Sequence, residues 1–224
     1  MKIYKLGEKI SAFIFDIDGT LYNSQEYVAE QVDCQIRHWA ALNGMTADEG
    51  RKKMQAFREQ WSAAHGDKKI SLGNAFTYFG VDIKTSIEWR NSLMRPQDFL
   101  SYDERLFSSL KELKDCGYKM LALTNNPVEA ARRTLAAVGI DSLITDIVGL
   151  DTCCLSKPAQ AMIDKAVEIL KCPAQEIVAV GDRYDIDLAL PLKNGMGAIE
   201  VKGAFELYDL PQILQNRAKY IIEN

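Results

Sequence analysis

Hydrophobic and polar positions change rhythm twice along the chain. Ala12, Phe13, Ile14 and Phe15 form an apolar, β-prone run too short for a free-standing helix, which predicts a buried strand. From Ser24 the spacing turns helical. Tyr27, Val28, Gln31, Val32, Ile36 and Trp39 recur at helical intervals through Leu42, and Asn43-Gly44 supplies a stop. Thr46-Ala47-Asp48-Glu49 fits a capping box opening a second helix through about Ala64, broken by Gly66-Asp67. Shorter helical pieces are predicted over Leu72–Phe79 and Ser86–Met94. Nothing between Tyr22 and Pro96 has the pattern of a core strand. This stretch reads as an all-helical insertion directly after the first strand.

Past Phe99, helix and strand alternate. An amphipathic helix over Asp103–Cys116 (Leu106, Phe107, Leu110, Leu113), ended by Gly117, precedes a strand at Lys119–Thr124. Asn126-Pro127 is expected to cap a helix running to Val138, with proline at the tolerated first position. A strand at Thr145–Gly149, a helix at Pro158–Leu170, a strand at Glu176–Val180 and a helix at Ile186–Lys193 follow. The chain then gives a strand at Gly197–Val201, a helix at Leu210–Arg217 and a last strand at Lys219–Ile222. The pattern predicts an α/β fold: a Rossmann-like parallel sheet with helices on both faces, plus a smaller all-helical domain. The expected division is a core of residues 1–21 and 97–224 and a helical domain of residues 22–96. Ligands of such sheets bind at the C-terminal ends of the strands.

Composition narrows the function classes. At 224 residues and 47% hydrophobic, the chain has ample material for a packed core. The formal net charge of -4, with no Lys/Arg cluster, argues against nucleic acid as a partner. Met1–Ile10 lacks the apolar centre of a signal peptide, and no apolar run approaches membrane-spanning length, so no membrane partner is expected. The five cysteines are odd in number and lack CxxC spacing, which predicts reduced thiols in a cytoplasmic protein. A monomer or a homodimer is expected. His38 and His65 lie far from any cysteine pair, so a zinc site is not expected.

Candidate chemistry gathers at the predicted strand ends. The first strand runs into Asp16, with Asp18, Gly19 and Thr20 close behind. Two readings stand for this DIDGT stretch: an ordinary turn leaving a strand, or a pair of carboxylates partnered by a hard cation such as Mg²⁺. The strand Lys119–Thr124 ends in Thr124-Asn125, a hydroxyl and an amide. Ser156-Lys157-Pro158 precedes a helix. The strand Glu176–Val180 ends in Gly181-Asp182, followed by Asp185 and Asp187, and the interleaved Ile186 and Leu188 suggest a packed loop. Together these groups would make one pocket with complementary roles. A metal and a lysine neutralise a phosphate dianion, a hydroxyl and amides bind its oxygens, and one carboxylate attacks in line. A second carboxylate two residues away can serve as general acid and then general base.

In kind, order and spacing, DIDGT, the hydrophobic strand ending in Thr124-Asn125, Lys157-Pro158 and GDRYDID resemble the four motifs of the haloacid dehalogenase-like hydrolase superfamily. The resemblance spans nearly the whole chain. It implies a Mg²⁺-dependent phosphomonoester hydrolase that acts through an aspartyl-phosphate on a small phosphorylated metabolite of the sugar phosphate, phosphoglycolate or nucleotide class. By the same resemblance Asp16 is the nucleophile and a metal ligand. Asp18 binds metal through its backbone carbonyl and protonates the leaving alcohol. Thr124, Asn125 and Lys157 hold the phosphoryl group, and Asp182 completes the metal shell. Family spacing favours Asp187 as an outer-shell group, with Asp185 the alternate. Ala159-Gln160 departs slightly from the family pattern, where many relatives carry an acidic residue. The insertion resembles a mobile cap, and its LYNS-type entry resembles pyrimidine nucleotidase-like relatives. Arg37, His38, Arg58, His65, Arg90 and Arg95 are candidate contacts to a leaving group, and Trp39, Trp61 and Trp89 could stack on a base or sugar. A phosphomutase using the same motifs, or a non-catalytic relative that binds a phosphorylated ligand, are the competing readings. Asp18 argues against a hydrolytic dehalogenase.

Overall fold

In the computed structural model of the chain, which describes residues 1–216, the short apolar runs assemble into a single six-stranded sheet. The strands are β1 (Lys2–Lys5), β2 (Ala12–Phe15), β3 (Lys119–Leu123), β4 (Asp146–Val148), β5 (Ile177–Gly181) and β6 (Gly197–Glu200). Their spatial order is β1-β6-β5-β2-β3-β4, and every pairing except β1 with β6 is parallel. β2 is buried at all four positions, as expected of a central strand covered on both faces. β1 has no counterpart in the sequence reading. Its KIYK pattern is exposed at both ends, and an antiparallel edge strand needs only partial cover. The strand expected at Lys219–Ile222, and the end of the helix expected to reach Arg217, lie outside the described residues.

Helices α1 (Gln25–Leu42), α2 (Ala47–Ala64), α3 (Leu72–Thr77) and α4 (Ile83–Leu93) occupy the insertion. After it come α5 (Glu104–Asp115), α6 (Val128–Ala137), α7 (Leu150–Cys153), α8 (Gln160–Leu170), α9 (Ala189–Lys193) and α10 (Leu210–Gln215). The chain divides into two compact units, one of Glu26–Arg95 and the other of Met1–Gln25 with the chain from Pro96 onward. In the α/β unit, Ala12 and Ile14 of β2 join Leu121, Ile177 and the apolar stripe Met162, Ile163, Ala166 and Leu170 of α8 in one buried cluster. No helix among the described residues is long and apolar enough to cross a membrane.

The helical unit has its own interior. Ile36, Trp39, Met54, Ile70, Leu72, Ala75 and Phe76 form its core, with Phe57, Phe79 and Trp89 packed around them. The Thr46–Glu49 capping box is made in both directions. Gly50 is dictated by the approach of α1 to α2, because a Cβ there would lie 2.5 Å from that of Ala40. α4 starts earlier than the periodicity suggests. Asp82 caps it, accepting the Thr85 N–H at 2.7 Å, and a cap residue lies outside any apolar stripe.

Candidate active site

Register brings the site together. β2 pairs with β3 and β5 so that Phe15 stands level with Ala122 on one side and Val180 on the other. The residues leaving these strands therefore emerge side by side. Asp16 donates its N–H to Val180 O at 2.8 Å, and Thr124 donates its own to Val148 O at 3.0 Å. The turn after Asp16 is closed by Thr20 and Leu21 N–H groups on Ile17 O. Gly19 has φ +82°, and a Cβ there would sit 2.7 Å from Asp182 Oδ2, so the first and fourth motifs touch where only glycine fits.

Asp16 and Lys157 are both almost completely buried, and the lysine Nζ donates to Asp16 Oδ1. The same Nζ donates to Asp187 Oδ1 at 2.7 Å and to Leu123 O at 2.9 Å. The Lys157 backbone N–H donates to Asn125 Oδ1 at 2.6 Å, which ties the loop before α8 to the end of β3. Thr20 Oγ1 donates to Asp16 Oδ2 at 3.3 Å. Asp16, Asp182 and Asp187 each present a carboxylate oxygen within 4.8 Å of the other two. Asp182 Oδ1 is buried with no hydrogen bond, although Arg183 Nε lies 3.4 Å away.

Negative charge is in excess here. Burial is the main cause that pushes the Asp16 carboxyl up to about 7; Asp187 and Asp18 add to it, and Lys157 opposes. Burial also raises Asp182. Burial alone would lower the Lys157 ammonium, but the carboxylates of Asp16 and Asp187 outweigh it and hold the group above its ordinary value. Three converging carboxylates, one with an orphaned buried oxygen, suit a small hard cation that takes oxygen ligands. The donor set is unsuited to soft metals, since no cysteine or histidine belongs to it.

The other anticipated residues take distinct places. Thr124 is buried, and its Oγ1 accepts the Asn126 N–H at 3.1 Å. Asp185 is exposed while Asp187 is buried, because the chain between them winds through a π-helical turn at Tyr184–Leu188. Asp18 does not join the carboxylate cluster. Its Oδ1 accepts from Tyr22 Oη at 2.6 Å and its Oδ2 from Asn126 Nδ2 at 2.9 Å. This corrects the expectation that Asn126 caps α6. Pro127 occupies that position, and the Val128 N–H is met by Asp151 Oδ1 at 2.9 Å instead. Neither Tyr22 nor Asn126 was expected at the site from sequence. The available signal was three consecutive polar residues, Thr124 to Asn126, more than one helix start requires.

Within the helical unit, several anticipated leaving-group contacts already have work. Arg37 is gripped by Glu30 and Asp33, and Arg58 donates to Ile70 O at 3.2 Å. Arg90 Nε donates to Gln35 Oε1 at 3.3 Å. Trp39 is a core residue, Trp61 stacks on His65 with ring centroids 3.9 Å apart, and Trp89 meets His38 edge-on.

Comparison with known proteins gives one family. The model for haloacid dehalogenase-like hydrolases matches residues 10–190. A pyrophosphatase PpaX of Listeria monocytogenes serotype 4a is 22% identical over 181 residues, covering 79% of this chain and 76% of its own. A glyceraldehyde 3-phosphate phosphatase of Methanocaldococcus jannaschii is 27% identical over 213 residues, covering 88% and 87%. The crystal structure of a HAD phosphatase from Thermococcus onnurineus superposes with a TM-score of 0.66 at 22% identity, over 92% of this chain and 98% of that one. At that identity the superposition speaks for the fold alone.

Proposed function

The chain belongs to the haloacid dehalogenase-like hydrolase family, and on that premise we propose that it is a Mg²⁺-dependent phosphomonoester hydrolase acting through an aspartyl-phosphate at Asp16. The observation that carries this reading is the Asp16 carboxylate: buried at a strand end, bonded to Lys157, and grouped with Asp182 and Asp187. The Listeria and Methanocaldococcus relatives, a pyrophosphatase and a glyceraldehyde 3-phosphate phosphatase, support the same chemistry.

In the first half-reaction an Asp16 oxygen attacks phosphorus. The bond from phosphorus to the leaving alcohol breaks, its electron pair stays on the departing oxygen, and that oxygen takes the proton of Asp18. In the second, the Asp18 carboxylate takes a proton from water, and the water oxygen attacks phosphorus. The bond from phosphorus to Asp16 breaks, inorganic phosphate departs, and both side chains return to their starting forms. Lys157, Thr124 and Asn125, with nearby backbone amides, would hold the phosphoryl oxygens. Asp16, Asp182 and the Asp18 backbone carbonyl would hold Mg²⁺, with Asp187 behind them, and the bound ion would neutralise charge on the phosphoryl group. The helical unit serves as the cap that selects among small phosphorylated metabolites. Five free cysteines support a cytoplasmic setting.

The test is a panel of phosphate monoesters, with inorganic pyrophosphate included, assayed with Mg²⁺ and with excess chelator. Metal-dependent phosphate release from at least one monoester is expected. Full activity in chelator, or no release from any monoester, would contradict the proposal.

A further inference from the structure

Asp18 is only two residues from Asp16, yet its surroundings are of another kind. Asp16 is met by a lysine and packed among carboxylates, whereas the hydrogen bonds that hold the Asp18 carboxyl include Tyr22 Oη on Oδ1 and Asn126 Nδ2 on Oδ2. Both donors are themselves fixed. Tyr22 is 4% exposed and its backbone forms a β-bridge with Asp18. Asn126 is 6% exposed; its N–H is anchored on Thr124 Oγ1, and its carbonyl accepts the Leu150 N–H at 3.0 Å. A carboxyl gripped on both oxygens, from its own turn and from the end of β3, has little rotational freedom.

The two grips differ in what they allow. An amide nitrogen only donates, so Oδ2 facing Asn126 must remain an acceptor. A phenol hydroxyl donates or accepts, so Oδ1 keeps its partner whether or not it carries a proton.

Resting on the aspartyl-phosphate reading above, we propose that Tyr22 and Asn126 are positioning residues for the Asp18 carboxyl. Asn126 holds Oδ2 as an acceptor, which leaves Oδ1, beside the Tyr22 hydroxyl, as the atom that hands its proton to the leaving oxygen and later receives one from water. The proton passes from Asp18 Oδ1 to the alkoxide-like oxygen as its bond to phosphorus breaks, so no further reactant is needed.

Positioning of this kind predicts a dependence on the leaving group. An alkyl alcohol must be protonated as it departs, while a nitrophenolate departs unaided. kcat/KM ends at phosphoryl transfer to Asp16, so it reports this step for both. Tyr22→Phe, which keeps the ring, and Asn126→Ala should each lower kcat/KM for glycerol 2-phosphate by about ten- to a hundredfold, part of what a general acid supplies. For p-nitrophenyl phosphate the loss should be far smaller. The double variant should fall no further than Asp18→Asn, because all three substitutions disable one group. Thermal melts and the aryl ester rate report the folded fraction of each variant. Equal losses on both esters would overturn the inference and leave a structural role. A gain on the alkyl ester would overturn it too, by showing that the two residues hold Asp18 away from the reaction. If the unmodified protein hydrolyses neither ester in an Asp16-dependent way, the phosphatase reading itself fails, a result distinct from both.

Discussion

At the strand ends of the α/β unit, Asp16, Asp187 and Lys157 are buried together, and Asp182 Oδ1 has no hydrogen bond at all. In the helical unit the charges sit outside. Arg37 and Arg51 converge on Asp33, Arg51 also reaches Asp48, and all four side chains are partly or largely exposed. Its interior goes to Trp39, Met54 and Phe76 instead. One region carries a charge imbalance that packing does not relieve, and the other carries almost none. Burial of unbalanced carboxylates opposes folding, and a region that keeps them is marked as the place where charge is used. The helical unit, by contrast, is assembled from ordinary apolar packing and surface ion pairs.

The contrast is broken most sharply by Asp16→Asn. Turnover should fall by roughly 10⁴-fold or more, since the proposed nucleophile is gone. The same variant should fold well, because it removes one of the crowded buried carboxylates. The sign can be read from pH. With Asp16 raised to about 7 in the folded metal-free chain, the native state binds more protons than the unfolded state between about 4 and 7. The stability of the metal-free protein should therefore decline as pH rises through that window. Denaturant melts of Asp16→Asn should show a flatter profile, and Asp182, raised in the same direction, would account for part of the slope left behind.

Next in size is Trp39→Ala. Emptying the centre of the helical unit should cost about 3–5 kcal/mol in urea melts. Hydrolysis of a small aryl phosphate, scaled to the folded fraction, should survive it. A loss there comparable to that of Asp16→Asn would show that the helical unit holds an essential group.

Asp182→Asn should act through the ion. A rise of at least roughly 10- to 100-fold in the Mg²⁺ concentration for half-maximal activity is expected, since losing a direct ligand should cost no less than losing a group that only supports one. Isothermal titration would read it directly. The smallest effect is assigned to Arg51→Ala, which removes exposed ion pairs to Asp33 and Asp48 and should leave the melting midpoint and both ester rates within error.

Much of this arrangement was legible in the chain itself. Ala12–Phe15 announces a buried strand by its apolar run, and Asp16, Thr124 and Asp182 follow three such runs, so a parallel register suffices to bring them level. Local signals also located the Thr46–Glu49 capping box. Long-range partnerships were less accessible. Asn126 looks like a helix cap in sequence because its amide partner, Asp18, is 108 residues away. Family spacing favoured Asp187 over Asp185, and the π-helical turn is the local feature that leaves the first buried and the second exposed. β1 escaped because a four-residue edge strand with exposed ends lacks the apolar density that marks its central neighbours.

The most direct measurement is acid quench of the protein during turnover with Mg²⁺, followed by peptide mass mapping. A gain of one HPO₃ on the peptide containing Asp16, absent when substrate is omitted and absent in Asp16→Asn, is the predicted result. Steady phosphate release with no modified peptide, or with the phosphoryl group on a different residue, would contradict the account.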